Sequence, residues 1–300
     1  MDTINAMFTN FTTFEISNQG VRISGRIGGK LDGKPLLLIH GHPQSHTMWH
    51  LTAPELAKHY RVVMFDLRGY GDSDRPATDD AHAPYSKRAM ATDAMAVMAH
   101  FGYTQFQVLA HDRGARVAHR LAADFPLAVE RMMLLDIAPT LGMYENTTQL
   151  FATLYWHWFF LIQPAPLPEA LIGDDPVRYL HGVMGSRYGG LEKFAPAALL
   201  EYERCALIPN SAMAMAEDYR AAATIDLEHD RADVAADKKI STPIHVLWGA
   251  KGVVQQCFDV LTLWRDRATC VTGMPVESGH YIPEENPAVV LQEALAFFKP

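Results

Sequence analysis

The sequence predicts an α/β protein, a mostly parallel β-sheet flanked by helices and interrupted by one inserted helical segment. Three observations carry that expectation: short apolar runs bounded by turn residues, helical periodicity between them, and a long stretch in which the strand rhythm stops. The runs at 35–39, 62–65, 106–110 and 131–135 read as strands buried on both faces, and a fifth, 243–248, appears much later. Between them, 86–100 (SKRAMATDAMAVMAH) has the helical period, with Met90, Ala94, Met95 and Met98 on one face; core packing explains that stripe better than a Met-rich binding surface. Residues 140–239 hold Trp and Tyr clusters, the piece Gln163-Pro-Ala-Pro-Leu-Pro168 and several helical patterns, too apolar for a linker and without internal repeat. The rhythm resumes at Ile240. The expected organisation is a first core segment over 1–139, a helical lid over 140–239 and a second core segment over 240–300.

Composition narrows the function classes. A chain of 300 residues, 49% hydrophobic and 20% charged, is long enough to enclose a water-excluded pocket. Its 26 basic and 34 acidic residues give a net charge of −8 without long runs, which argues against a nucleic-acid footprint; an anionic small molecule stays open, because local charge decides binding. Cys205, Cys257 and Cys270 are odd in number and lack metal-type spacing, so reduced thiols are expected. The first nineteen residues lack a basic start and an apolar stretch, and 150–162 is apolar but short and interrupted by His157, so neither a signal peptide nor a membrane span is expected. A cytoplasmic location follows as an expectation.

The most informative segment is Val108-Leu-Ala-His-Asp-Arg-Gly-Ala-Arg116. A buried strand runs directly into a helix carrying Val117, Leu121 and Phe125, with Ala110 two residues before Asp112 and Gly114 two after. That is the pattern of a nucleophile elbow, in which a strained strand-to-helix turn lifts the central side chain above the sheet. The central residue is Asp rather than Ser, and no G-x-S-x-G occurs in the chain. A carboxylate can displace a leaving group from an sp³ carbon to form an ester, which water must then hydrolyse with the help of a base. Alone, Asp112 would serve equally well as a helix N-cap; its companions give it weight.

Ile39-His-Gly-His-Pro-Gln44 follows a strand and resembles the HG-x-P oxyanion segment of α/β-hydrolases, so the backbone N–H groups of His42 and Arg113 are candidate oxyanion donors. Phe65-Asp-Leu-Arg-Gly-Tyr-Gly-Asp-Ser-Asp74 resembles a structural turn of the same superfamily. Glu277-Ser-Gly-His280 places a histidine just before the last helical stretch, in the chain order nucleophile, acid, histidine. The usual position for the acid, after the late strand, reads Trp248-Gly-Ala-Lys-Gly252 and holds no carboxylate. Asp136, in Leu134-Leu-Asp136-Ile-Ala-Pro139 after an earlier strand, is the candidate instead, with Asp259 and Asp266 as alternatives. Arg113 and Arg116, three apart in the first helical turn, suit a carboxylate clamp, although Arg116 could equally pair with a surface carboxylate.

Together these segments resemble haloacetate dehalogenases, fluoroacetate dehalogenases in particular, over nearly the whole chain. The resemblance runs through His111-Asp-Arg-Gly-Ala-Arg116, Leu135-Asp-Ile137, His157-Trp158, Gln163-Pro-Ala-Pro-Leu-Pro-Glu169, Glu217-Asp-Tyr-Arg220 and Glu277-Ser-Gly-His280. It implies the α/β-hydrolase fold, Asp112 as nucleophile, His280 as general base, Asp136 as its partner, and Arg113 with Arg116 on the substrate carboxylate. It further implies that His157, Trp158 and Tyr219 donate to the departing halide, with no metal or organic cofactor, and that His280 must be neutral to act, so activity falls at low pH. A small haloacid substrate and a homodimer, with the aromatic lid surface as a candidate interface, belong to the same expectation. The chain departs from the pattern at His42, where an aromatic is usual, and at Arg187, where an apolar gate residue is expected; substrate size and halide preference stay open. Two other readings remain. One is an epoxide hydrolase with Tyr155 and Tyr219 activating the oxygen, although Trp rather than Arg commonly follows its nucleophile. The other is a non-catalytic small-molecule receptor.

Overall fold

The computed structural model describes residues 2–298. Its sheet has the strand order β1-β2-β4-β3-β5-β6-β7-β8. The strands are β1 (Phe11–Asn18), β2 (Val21–Gly29), β3 (Pro35–Ile39), β4 (Arg61–Phe65), β5 (Phe106–His111), β6 (Val129–Leu135), β7 (Ile244–Gly249) and β8 (Val271–Val276). From β3 onward neighbours pair in parallel, whereas β2 is antiparallel to both β1 and β4. The five expected strands are present within two residues of their expected bounds; β1, β2 and β8 are additional.

Alternation along the strands sorts side chains to two faces. Leu37, Ile39, Val63, Phe65, Val108, Ala110, Met132, Leu134 and Val246 enter one apolar cluster. Leu36, Leu38, Val62, Met64, Leu109, Met133, Leu135 and Leu247 enter the other. Helices cover both faces, which is why the runs were apolar without alternation. The helix Lys87–His100 starts one residue later than expected, because Ser86 is its N-cap and accepts a hydrogen bond from the Ala89 N–H at 3.1 Å. Met90, Ala94 and Met98 are buried as expected, with Ala91 and Val97; Met95 is only partly covered.

The Phe65–Asp74 turn is structural. Asp66 accepts from the His46 N–H (2.8 Å) and the Asp72 N–H (2.9 Å), and Arg68 holds Asp93 through Nε (2.6 Å) and Nη2 (2.7 Å).

β3 lies between β4 and β5, so the chain leaves it for β4 on one side while β5 pairs on the other. At such a reversal of strand order a crevice opens at the C-terminal ends of the strands. Ile39 and Ala110, paired across β3 and β5, end there. Between β6 and β7 the chain runs through helices from Thr140–Glu145 to Ile225–Ala235, and these stand over the crevice: Trp156–Leu161 and Ser211–Ala223 contribute buried His157, Trp158 and Tyr219. Ile240 makes an isolated parallel bridge with Ala268 before β7 begins at Ile244. Among the described residues, no helix is long and apolar enough to cross a membrane.

Candidate active site

Asp112 opens the helix Asp112–Asp124 directly after β5, with φ of +46°. The left-handed region costs an L-residue roughly 1–2 kcal/mol, and Asp is among the few side chains that visit it. Contacts around it leave no room for anything larger than glycine at two positions. A Cβ on Gly114 would sit 2.3 Å from the His40 carbonyl oxygen, and one on Gly41 would sit 2.5 Å from the Asp112 Cβ. The strand end and the β3 loop therefore press the Asp112 carboxylate into the crevice, where Oδ1 accepts the His42 N–H at 3.0 Å. The Arg113 N–H lies in the first helical turn, whose amides have no intrahelical acceptor.

Asp136, which follows β6, also has a positive φ, +53°. Its Oδ2 lies 2.6 Å from His280 Nδ1, and its Oδ1 accepts the Gly249 N–H at 2.9 Å. The carboxylate from β6 thus occupies the space beside the end of β7. Asp259 and Asp266 are exposed, and Asp259 caps its own helix through the Thr262 N–H at 3.1 Å. With Nδ1 committed to Asp136, His280 turns Nε2 toward Asp112 Oδ2 at 3.9 Å. That separation is too long for a direct hydrogen bond, so imidazole and carboxylate both remain available to a third group. His111 fixes the backbone beneath: its Nε2 donates to the His280 carbonyl at 2.8 Å, and burial pulls its pKa down to about 3, keeping it neutral.

The two arginines are held differently. Arg113 is fully buried, with its guanidinium 4.0 Å above the Tyr219 ring. Nε and Nη2 donate to Asp218 Oδ2 (3.0 Å), Oδ1 (2.8 Å) and carbonyl oxygen (2.7 Å), while Nη1 has no partner. Arg116 donates to the Ala138 carbonyl (3.1 Å) and Thr140 Oγ1 (2.9 Å), lies 4.6 Å over the Trp158 ring, and leaves Nε without a partner. Only 3% exposed, it is not engaged with a surface carboxylate. Burial alone would raise the Asp112 pKa, but the charges of His280, His111, Arg116 and Arg113 bring it far below the ordinary carboxylate range. Because His111 is neutral, the two arginines carry the lasting positive charge beside Asp112. Guanidinium donors left unspent beside a buried carboxylate can hold the carboxylate of a small acid there.

Above them lie the side chains of the helical insertion. Trp158 is fully buried, with its indole Nε1 unpartnered. The His157 and Trp158 rings lie 5.8 and 6.3 Å from that of Tyr219. Burial, followed by the charges of Arg187 and His42, keeps His157 well below the usual imidazole pKa. His42 stacks on His157 with centroids 6.0 Å apart and planes 10° apart. Its own pKa is pulled down to about 3, chiefly by burial. A consistent chain of donors accounts for this imidazole: the Tyr179 hydroxyl to His42 Nε2 (3.3 Å), His42 Nδ1 to the Tyr70 oxygen (3.4 Å), and the Tyr70 hydroxyl to Asp218 Oδ2 (2.7 Å). A cavity of about 260 Å³, bordered by Tyr155, Trp156, Arg187, Lys251 and His280, adjoins this cluster.

Asp112, His280, Asp136, Arg113, Arg116, His157, Trp158 and Tyr219 are therefore brought together at one crevice, whereas Asp259 and Asp266 lie outside it. Reasoning from sequence missed His111, Tyr70, Tyr179 and above all Asp218. The last sits beside Tyr219 inside a motif already singled out, and a buried acid next to a candidate clamp was the signal available. Among the described residues, no group of three or more His, Cys, Asp or Glu side chains is arranged to hold a metal ion.

Residues 34–186 match the family described as the alpha/beta hydrolase fold. A fluoroacetate dehalogenase of a Burkholderia species is 38% identical, over 97% of this chain and 95% of its own. A soluble epoxide hydrolase of Corynebacterium sp. (strain C12) is 32% identical, over 98% of this chain and 99% of its own. Among solved structures, a protein from Nostoc sp PCC 7120 superposes with a TM-score of 0.94 at 52% identity, covering 97% of this chain and 99% of that one. The strand order, the elbow and these relatives lead to one conclusion: the chain belongs to the α/β-hydrolase family and is a hydrolase.

Proposed function

We propose that this protein hydrolyses the carbon–halogen bond of haloacetates through an ester on Asp112. The observation that carries the reading is the pair of unpartnered guanidinium donors, Arg113 Nη1 and Arg116 Nε, buried beside an ionised Asp112. A carboxylate offers both a charged acceptor, which a neutral substrate does not.

The haloacetate carboxylate binds Arg113 and Arg116, which presents its α-carbon to Asp112. An Asp112 oxygen attacks that carbon from the side opposite the halogen; a C–O bond forms, the C–halogen bond breaks, and the halide leaves with the bonding pair. Trp158 Nε1–H, His157 and the Tyr219 hydroxyl donate to the departing halide, a task that matters most for fluoride, a poor leaving group with strong hydrogen-bond affinity. Water enters between His280 Nε2 and the ester. His280 takes its proton, Asp136 stabilises the resulting imidazolium, and hydroxide adds to the Asp112 carbonyl. The N–H groups of His42 and Arg113 hold the oxyanion until it collapses, the bond from the Asp112 carbonyl carbon to the glycolate oxygen breaks, and the His280 imidazolium returns its proton to that oxygen. The helices over 140–239 act as a lid that keeps bulk water from the carbon–halogen bond.

The relation to a soluble epoxide hydrolase supports a second reading, with Tyr155 and Tyr219 donating to an epoxide oxygen. That reaction offers the two unpartnered guanidinium donors no carboxylate.

The test is halide release from fluoroacetate and chloroacetate at neutral pH, with Asp112→Asn in parallel and styrene oxide hydration as the counter-assay. Halide release that disappears in the variant supports the proposal. Epoxide turnover without halide release from either acid overturns it.

A further inference from the structure

We propose that Arg187 is a positioning residue that fixes the tautomer of His157, and with it the direction in which His157 donates a hydrogen bond. This deepens the dehalogenase reading and rests on it for its catalytic consequence.

Arg187 Nη2 lies 3.3 Å from His157 Nδ1. A guanidinium has donors and no acceptor and does not lose its proton in proteins, so Nδ1 must be the accepting nitrogen. A neutral imidazole has one N–H, which this contact assigns to Nε2, at the far end of the ring from Arg187. Burial of His157 supports the neutral form. A flip of the ring would replace Nδ1 by a carbon and leave the guanidinium facing a C–H; parallel stacking on His42, with planes 10° apart, holds the ring in its plane.

Arg187 is itself held. Nη1 donates to the Leu154 carbonyl at 3.1 Å, and the guanidinium carbon lies 4.4 Å above the Tyr155 ring. These partners are all neutral, and among the described residues no carboxylate forms an ion pair with Arg187. The neighbouring cations differ: Lys251 faces Glu277 at 3.3 Å and Lys193 faces Glu285 at 3.3 Å. An uncompensated cation on Nδ1 polarises the imidazole and strengthens the Nε2–H as a donor. Its worth is greatest where the acceptor carries concentrated charge, so the arrangement favours departure of fluoride over chloride.

The experiment pairs a spectroscopic arm with a kinetic one. Two-bond ¹H–¹⁵N correlation on histidine-labelled protein reads the tautomer, the His157 signals being assigned by their loss in His157→Gln. The expected result is Nε2–H in the wild type, a shift toward a mixture or toward Nδ1–H in Arg187→Met, and restoration in Arg187→Lys, which also donates. In steady state, Arg187→Met is expected to lower fluoride release by about tenfold or more and chloride release by less, with partial rescue in Arg187→Lys. His157 found as Nδ1–H or as a cation in the wild type overturns the proposal. So does a variant with unchanged tautomer and an unchanged fluoride-to-chloride ratio. If the wild type releases no halide, the dehalogenase reading fails, while the tautomer arm still decides the role of Arg187 on its own.

Discussion

Replacing Asp218 by asparagine keeps the shape of the side chain and removes the charge that Arg113 and Lys87 share. Asp218 is fully buried; Arg113 Nη2 lies 2.8 Å from Oδ1, Lys87 Nζ contacts the same oxygen, and the Tyr70 hydroxyl donates to Oδ2. The two cations bring its pKa far below the usual range although burial pushes it up. Removing one partner of such a pair strands a buried charge at a cost of about 3–5 kcal/mol. Asp226, 3.7 Å from Lys87, offsets part of the loss, which places the expectation near the lower end. At about 2.1 cal/mol/K per residue, 3 kcal/mol in a 300-residue chain is a fall of roughly 5 °C in Tm. Function responds separately. In the variant Arg113 keeps the main-chain carbonyl at position 218 and one amide oxygen but loses its charged acceptor, so Nη1 is less firmly aimed, and a charge-assisted hydrogen bond is worth about 1.5–3 kcal/mol. KM for the haloacetate is therefore expected to rise by about ten- to a hundredfold, with a smaller change in kcat. Differential scanning calorimetry and initial-rate kinetics measure the two effects. A variant with unaltered Tm and unaltered KM would refute the reasoning.

Three further outcomes follow from the geometry. Trp158→Phe keeps the ring beneath Arg116 and deletes only the indole N–H, so fluoride release should drop by about a hundredfold with little change in Tm; an unchanged rate would remove Trp158 from the halide site. Because the charges around it depress the Asp112 pKa, its carboxylate stays ionised as pH falls through the ordinary carboxylate range, so single-turnover halide release should persist to roughly pH 4; a burst already lost at about pH 5 would contradict this. Glu284, buried against Gln44 and Tyr202, has its pKa raised by burial from 4.5 to about 8, so it binds more protons folded than unfolded. Its contribution to stability is complete below pH 4.5 and is lost as pH rises through about 8, at up to about 1.4 kcal/mol per pH unit. Glu284→Gln should lessen that loss, and urea denaturation at pH 6 and pH 8 that shows the same change in both proteins would count against it.

What was legible in the sequence was whatever depended on local pattern. The central strands announce themselves because burial on both faces demands unbroken apolar runs. The elbow shows because the turn tolerates only small residues around Asp112. The β1–β2 hairpin was harder to read. Its two-residue turn, Gln19-Gly20, has positive φ at both positions (+51° and +80°), a geometry normally signalled by Asn-Gly or Asp-Gly, and Gln conceals it. β1 is also half exposed, so apolar residues are sparse along it. β8 carries Gly273 and Pro275, which lower its strand propensity but are tolerated at a sheet edge. Within the site, Asp136 could be named because its strand end was recognisable, whereas its 2.6 Å contact with His280 closes over 144 residues of chain. Asp218 and Arg187 escaped for the same reason. Their significance lies in which buried group each one faces, Arg113 for one and His157 for the other, and only the folded insertion sets those pairs.

The most direct test of the account is mass spectrometry of a His280→Gln variant incubated with chloroacetate and digested with protease. With the attacking carboxylate intact and the base removed, the account predicts one equivalent of halide released per active site and a stable carboxymethyl ester on the peptide containing Asp112. An unmodified Asp112 peptide with no halide released, or an adduct on another residue, would contradict it.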